Sequence, residues 1–284
     1  MLNLLLFLIT LLILTLIFAF ISNLFTFLYL FIEYRLGQQQ DHHIDSQISN
    51  KIFFINMLKE FCFVNTKIFL YPLKFKPLVN INHKNNSTNY NHKQAIILVH
   101  GYGRNKTDWL WFAYNLAKQT DQAIFSVNLQ PALGSIQQIA ESLNNSINNI
   151  IADTQCEEIT LIGHSMGGVV SAYVSELLDD NKHIIKKVIT LGSPLHGTKL
   201  SVLGLGTNSR QMEPNTKFLQ DLTLRMQSSN KKYFNIATKI DNLIFPWDSA
   251  LLINNKEQTY TIPDESHLGL LYSDKVIDKI VTWL

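Results

Sequence analysis

A mostly parallel α/β sheet with helices on both faces, preceded by a transmembrane helix, is the fold class the sequence predicts. Three observations predict it. From residue 93 onward, short β-rich runs alternate with helical runs. Several of those β-rich runs are continuously apolar, as expected for strands covered on both faces. Ahead of them, residues 1–32 contain no charged side chain at all. Strand–helix alternation implies right-handed crossovers and a parallel sheet, with ligands at the carboxyl ends of its strands.

In residues 1–32 only Asn3, Thr10, Thr15, Ser22, Asn23 and Thr26 are clearly polar. No Lys or Arg precedes the run, no small-x-small pair ends it, and it far exceeds the roughly 7–15 apolar residues of a signal peptide. The expectation is therefore a retained single-pass anchor, assigned to residues 1–33. As one helix, residues 2–32 reach about 46 Å at 1.5 Å per residue, against a hydrocarbon core of about 30 Å. Residues 2–21 are thus expected to span. Phe25, Phe27, Tyr29, Phe31 and Tyr34 then run into the interface. With only the amino terminus upstream and Arg35 and Lys51 downstream, the positive-inside rule leans towards a cytoplasmic C-terminal domain. These few charges leave the side of the membrane open.

Residues 34–92 read as a juxtamembrane connector. They carry seven Lys/Arg against three acids, whereas residues 93–284 are nearly balanced, with 17 against 18. The basic excess lies beside the apolar terminus, which favours an anionic membrane surface and gives no support to nucleic-acid binding. Residues 34–50 are polar. In residues 51–76, Phe54, Met57, Leu58, Phe61 and Ile68 recur at helical spacing. Such a helix either lies on the bilayer or packs on the main domain, and amphipathic stripes mostly face cores. Residues 80–92 hold six Asn and read as a linker.

The remaining 93–284 form the expected catalytic domain. Strands are predicted at 94–99, 123–128, 158–162, 187–191, 234–238 and 258–262. Helices are predicted near 107–119, 135–152, 166–179, 214–226 and 273–284. The whole chain, at 284 residues and 46% hydrophobic, is long and apolar enough for a sizeable core. Two cysteines, Cys62 and Cys156, exclude a disulfide framework and a cysteine-based structural zinc site.

Residues 163–167 read Gly-His-Ser-Met-Gly, between a predicted buried strand and a predicted helix. At this composition about 0.03 such G-x-S-x-G matches arise by chance. In that context the pattern marks a nucleophile on a tight strained turn, with glycines where side chains would meet backbone. Ser165 is the candidate nucleophile. A serine hydroxyl needs a general base, and in this architecture the chain order is Ser, acid, His. Of the three later histidines, His183 sits in a polar patch, His196 closely follows a strand, and His267 lies on the loop after the last strand. His267 is the candidate base. Asp241, just behind strand 234–238, is the candidate acid, with Asp248 as runner-up. The strand 94–99 ends in His100-Gly101-Tyr102-Gly103, an oxyanion-type loop. Tyr102 N–H and Met166 N–H are the expected oxyanion donors, and His100 and His164 are expected to support the loops.

At these residues the chain resembles the α/β-hydrolase superfamily, in particular small bacterial lipases and esterases and their GPI-inositol-deacylase-type relatives. The resemblance covers about 93–284 and rests on VHGYG, LIGHSMGG, ITLGSPLHGTKLSVLGLGTNSRQM, KIDNLIFPWDSALL and HLGLLYSDKVIDKIVTWL. It departs from the pattern at SPLHGT, where SPHxGT is commoner, which leaves the role of His196 open. It implies the α/β-hydrolase fold, a Ser165–Asp241–His267 triad, no cofactor and no metal, and, from the bacterial branch, an inner-membrane location. The gap between residues 191 and 214 is too short for a lid domain, though Leu200, Val202, Leu203 and Leu205 can form an apolar rim.

The implied reaction is hydrolysis of carboxylic esters, with lipid as the expected substrate and the bilayer as partner. A thioesterase, amidase or lipid acyltransferase would use the same triad. A membrane-tethered binding protein on an inactive hydrolase fold is the non-enzymatic alternative. Oligomeric state is not legible.

Overall fold

A computed structural model describes residues 2–40, 49–70, 91–179, 184–252 and 258–284. Six strands form one sheet: β1 (Asn91–Val99), β2 (Gln122–Val127), β3 (Glu158–His164), β4 (Ile185–Leu191), β5 (Lys232–Thr238) and β6 (Thr259–Ile262). Their order is β2-β1-β3-β4-β5-β6, and every neighbouring pair is parallel. The period-two geometry of β1 divides its apolar run between two cores. Ala95, Ile97 and Val99 join one, and Ile96 and Leu98 join the other.

The first core is closed by α4 (Ile136–Thr154), α5 (Met166–Tyr173) and α7 (Lys217–Ser228), the second by α3 (Leu110–Leu116) and α8 (Asp274–Val281). Helix α4 shows how the sequence encodes this. Ser135 and Gln138 form a reciprocal capping box at its start. Ile136, Ile139, Ala140, Leu143, Ile147 and Ile150 bury one face. The short α6 (Thr207–Gln211) completes the helices of this domain.

All six predicted strands are present within a few residues of their expected limits. The helix expected near 107–119 divides into a 3-10 turn, Lys106–Trp109, and α3. The one expected near 166–179 is α5 followed by a π turn, Val174–Leu178.

Two helices precede the sheet: α1 (Leu2–Gln40) and α2 (Asn50–Leu70). Helix α1 runs seven residues past the expected anchor, into the segment read as polar connector. Among the described residues one stretch, Ile9–Glu33, is long and apolar enough to cross a membrane. The expected Asn-rich linker falls mostly, and His183 entirely, outside the described residues.

Helix α2 differs from expectation in the face it buries. Phe53, Asn56 and Glu60 are buried, whereas Phe54 and Leu58 of the expected stripe are exposed. Polar atoms explain the reversal, because Asn56 and Glu60 find hydrogen-bond partners on the sheet domain. Phe53 joins Phe27 and Leu30 of α1 and Ile240 and Phe245 of the segment after β5 in a third apolar cluster.

Candidate active site

In this strand order β1 has β2 on one side and β3 on the other. The crevice at the carboxyl ends of β1 and β3 is the place where such sheets bind ligands. Strand β3 ends at His164 and α5 opens at Met166, leaving Ser165 alone in the turn, with φ 57° and ψ −130°. That conformation is costly for a side-chain-bearing residue. It is held by Ser165 N–H donating to the Leu191 carbonyl at 2.8 Å and Gly168 N–H donating to the Ser165 carbonyl at 3.0 Å. A Cβ on Gly163 would lie 2.5 Å from the Gly167 backbone, so the turn closes only over bare backbone.

The loop after β1 comes equally close. A Cβ on Gly101 would sit 2.9 Å from Ser165 Cβ and 3.4 Å from its Oγ. Buried His100 organises this loop. Its Nε2 accepts the Leu129 N–H at 3.0 Å, so Nδ1 carries the proton and donates to the Gly101 carbonyl at 2.9 Å. The Tyr102 hydroxyl accepts from Leu205 N–H at 2.7 Å and donates to the Leu205 carbonyl at 2.8 Å. It thereby ties the loop to a rim where Val202, Leu203 and Leu205 are exposed. Leu200 of the expected rim turns inward against the third cluster. Met166 N–H lies in the first turn of α5, where backbone donors have no intrahelical acceptor.

Asp241 and His267 meet at the other side. Asp241 Oδ2 lies 2.9 Å from His267 Nδ1, and both residues are almost wholly buried. Asp241 Oδ1 accepts the N–H groups of Leu243 and Ile244 at 2.9 and 2.8 Å, which fixes the carboxylate. Asp248, the alternative acid, is exposed on a 3-10 turn. Burial penalises the imidazolium of His267. The charge and hydrogen bond of Asp241 outweigh that penalty, and Glu60 adds to them, so the pKa rises above the ordinary histidine value.

Three further residues hold His267. His164 Nε2 donates to the His267 carbonyl at 3.0 Å, and the two rings stand 4.5 Å apart. Asn242 Oδ1 accepts the His267 N–H at 3.2 Å. Glu60, from α2, accepts bonds on both sides of His267: Ser266 Oγ at 2.5 Å and Leu268 N–H at 3.1 Å. Glu60 and Asn242 were missed in the sequence. Glu60 had one visible signal, a lone acid inside an apolar helical run, and Asn242 had none beyond standing next to Asp241.

A cavity of about 340 Å³ opens on Ser165 and His267. One wall is helix α1, through Thr15, Phe18, Ala19, Ser22, Asn23 and Thr26, which share a helical face. That helix is pinned by Asn242 Nδ2 donating to Thr26 Oγ1 at 3.1 Å and by Lys199 pairing with Glu33 at 3.0 Å. His196 does not line this cavity.

A six-stranded parallel sheet with a strained serine between β3 and the next helix defines the α/β-hydrolase fold, and known structures agree. The chain matches lipase B of Aspergillus fumigatus at 20% identity and TM-score 0.56, over 69% of this chain and 54% of that one. It matches the mature lipase BlEst2 of Bacillus licheniformis at 17% identity and TM-score 0.56, over 68% and 94%. A structure described with the metagenome-derived lipolytic enzymes LipS and LipT matches at 10% identity and TM-score 0.52, over 67% and 93%. The chain belongs to the PGAP1-like alpha/beta domain family, whose model matches residues 92–246. That match contains Ser165 and Asp241 and ends before His267.

Proposed function

We propose that the protein is a membrane-anchored serine hydrolase that cleaves carboxylic esters of lipids. The observation that carries this reading is His267, paired with buried Asp241, sharing one cavity with Ser165 on a strained strand–helix turn. Residues 1–33 serve as an anchor whose Thr15–Thr26 face also walls the cavity, residues 34–92 as juxtamembrane segment and residues 93–284 as catalytic domain.

His267 takes the Ser165 proton as the serine attacks the ester carbonyl, and Asp241 stabilises the imidazolium that forms. The N–H groups of Tyr102 and Met166 receive the developing oxyanion, helped by the dipole at the start of α5. His267 then protonates the leaving alcohol, and water releases the acyl group. The α1 wall supports a lipid substrate, since an acyl chain entering along Phe18 and Ala19 stays against apolar surface while its ester reaches Ser165.

The full chain in detergent micelles should react with a fluorophosphonate probe and hydrolyse p-nitrophenyl acyl esters. Ser165→Ala should lose both, with turnover down at least about 10³-fold. Wild-type turnover by the alanine variant would reject this nucleophile.

A further inference from the structure

The helix between the apolar segment and the sheet has an unusual relation to the site. Glu60 is fully buried, yet its contacts lie some two hundred residues away in sequence, on the loop that carries His267. Ser266 Oγ accepts the Gly269 N–H at 3.2 Å, so its own proton is free to point at Glu60 Oε2, 2.5 Å away. The Leu268 N–H also points at Oε2, from 3.1 Å. Two donors converging on one oxygen are the environment of a carboxylate. One turn earlier, Asn56 Nδ2 donates to the Asp264 carbonyl at 3.1 Å and Asn56 Oδ1 accepts the Ser266 N–H at 3.1 Å. Helix α2 therefore grips the backbone immediately before and after His267.

We propose that Glu60 is a positioning residue of the hydrolase. It holds the 266–268 backbone so that the His267 ring faces both Asp241 and Ser165, and its negative charge favours the imidazolium formed during attack. The inference rests on the triad reading above. Such a role makes α2 part of the catalytic apparatus and not only a spacer behind the anchor. It also accounts for the reversed amphipathicity of the helix, since a charged residue is buried only where partners await it.

The electrostatic surroundings are specific. Glu60 is acted on by His267 and Asp241, and it acts on Tyr272. The charge of Arg104, after β1, opposes the imidazolium. Lys59 and Glu265 pair at 3.8 Å beside it, and no α1 residue lining the cavity is titratable. Burial, with the Asp241 charge, raises the Glu60 carboxyl above its ordinary range against the opposing Ser266 and Leu268 bonds and the His267 charge.

The test is the pH profile of kcat/KM for a soluble short-chain p-nitrophenyl ester, with the full chain in micelles and rates divided by fluorophosphonate-titrated Ser165. Glu60→Gln keeps an acceptor without the charge, and kcat should fall about threefold to tenfold. Glu60→Leu removes both, and kcat should fall at least about tenfold with KM within twofold. In both variants the acidic limb should move to lower pH, because His267 loses a negative neighbour. An unmoved limb in both variants overturns the proposal. So does a Glu60→Leu loss that vanishes once rates are divided by titrated sites, which would mean a folding role only. Wild-type protein that the probe does not label sinks the hydrolase reading itself. Labelled wild type with indifferent Glu60 variants sinks only this inference.

Discussion

The sheet domain and the N-terminal helical pair are built on opposite logic. In the sheet domain, apolar side chains fill most of the interior: β1 runs Ala95–Val99 fully buried before its loop turns to the serine. In α2 the polar side chains Asn56 and Glu60 go inward, while Phe54 and Leu58 stay outside. The first pattern follows from hydrophobic burial within each element. The second arises because two orphan-rich stretches, a helix face and the histidine loop, satisfy one another. Local periodicity reveals burial of the first kind and conceals the second.

The sharpest way to test the sheet half is at the acid. Asp241→Asn keeps the shape and the Leu243 and Ile244 bonds through its amide oxygen, but withdraws the charge opposite His267. Loss of that charge, and an NH₂ facing Nδ1, should reduce kcat by about 10³–10⁴-fold. The pKa of His267 is raised in the native protein, so wild-type kcat/KM should decline with acidification through a midpoint above about 6.5, the ordinary histidine value. In Asp241→Asn the residual activity should show a midpoint shifted downward, because the largest force favouring the imidazolium is gone. A measured pH–rate profile of both proteins checks the sign. An unchanged midpoint would detach Asp241 from the base.

This half was legible because its signals are short-range. The strand runs, the glycines around Ser165 and the order of Ser165, Asp241 and His267 can each be read within a few residues or by chain order alone. What escaped depends on pairings across the whole chain. Nothing near Glu60 announces Ser266, and nothing near Thr26 announces Asn242, which donates to it. The stripe Phe54, Met57, Leu58 and Phe61 predicted the helix but left its buried face open, because periodicity reports amphipathicity without saying which medium each face meets. Met57 packs on the third cluster, while Phe54 and Leu58 are exposed. The same limit applies to α1. Its apolar length was plain, but the polar face Thr15, Ser22, Thr26 read only as scattered exceptions until the cavity gave them a common surface.

Whether the N-terminal pair belongs to the substrate site is tested at that wall. Ser22→Trp places a large ring in the α1 wall of the cavity. Hydrolysis of long-chain esters should fall about tenfold or more in kcat/KM, and that of acetyl esters less than threefold. Equal losses on both would point to general damage. No loss on either would make α1 a mere tether.

The smallest effect should come from the outward face of α2. Phe54 and Leu58 are 58% and 46% exposed, so replacing both by Ser removes little packing. Each change should alter unfolding stability by no more than about 0.5 kcal/mol. Rates on a soluble short ester should match wild type, since neither side chain lines the cavity or touches the His267 loop. If the exposed stripe rests on lipid, the same variant should lose a few-fold in rate on ester presented in anionic vesicles. A large aliphatic or aromatic side chain moved from water into hydrocarbon contributes about 1.5–3 kcal/mol, and α1 still anchors the protein. Parallel assays on soluble and vesicle-borne substrate separate the cases. A selective vesicle deficit assigns the outer face to the bilayer, and a matched loss on both substrates assigns it to packing. Unchanged rates on both leave Asn56 and Glu60 on the inner face as the reason this helix is where it is.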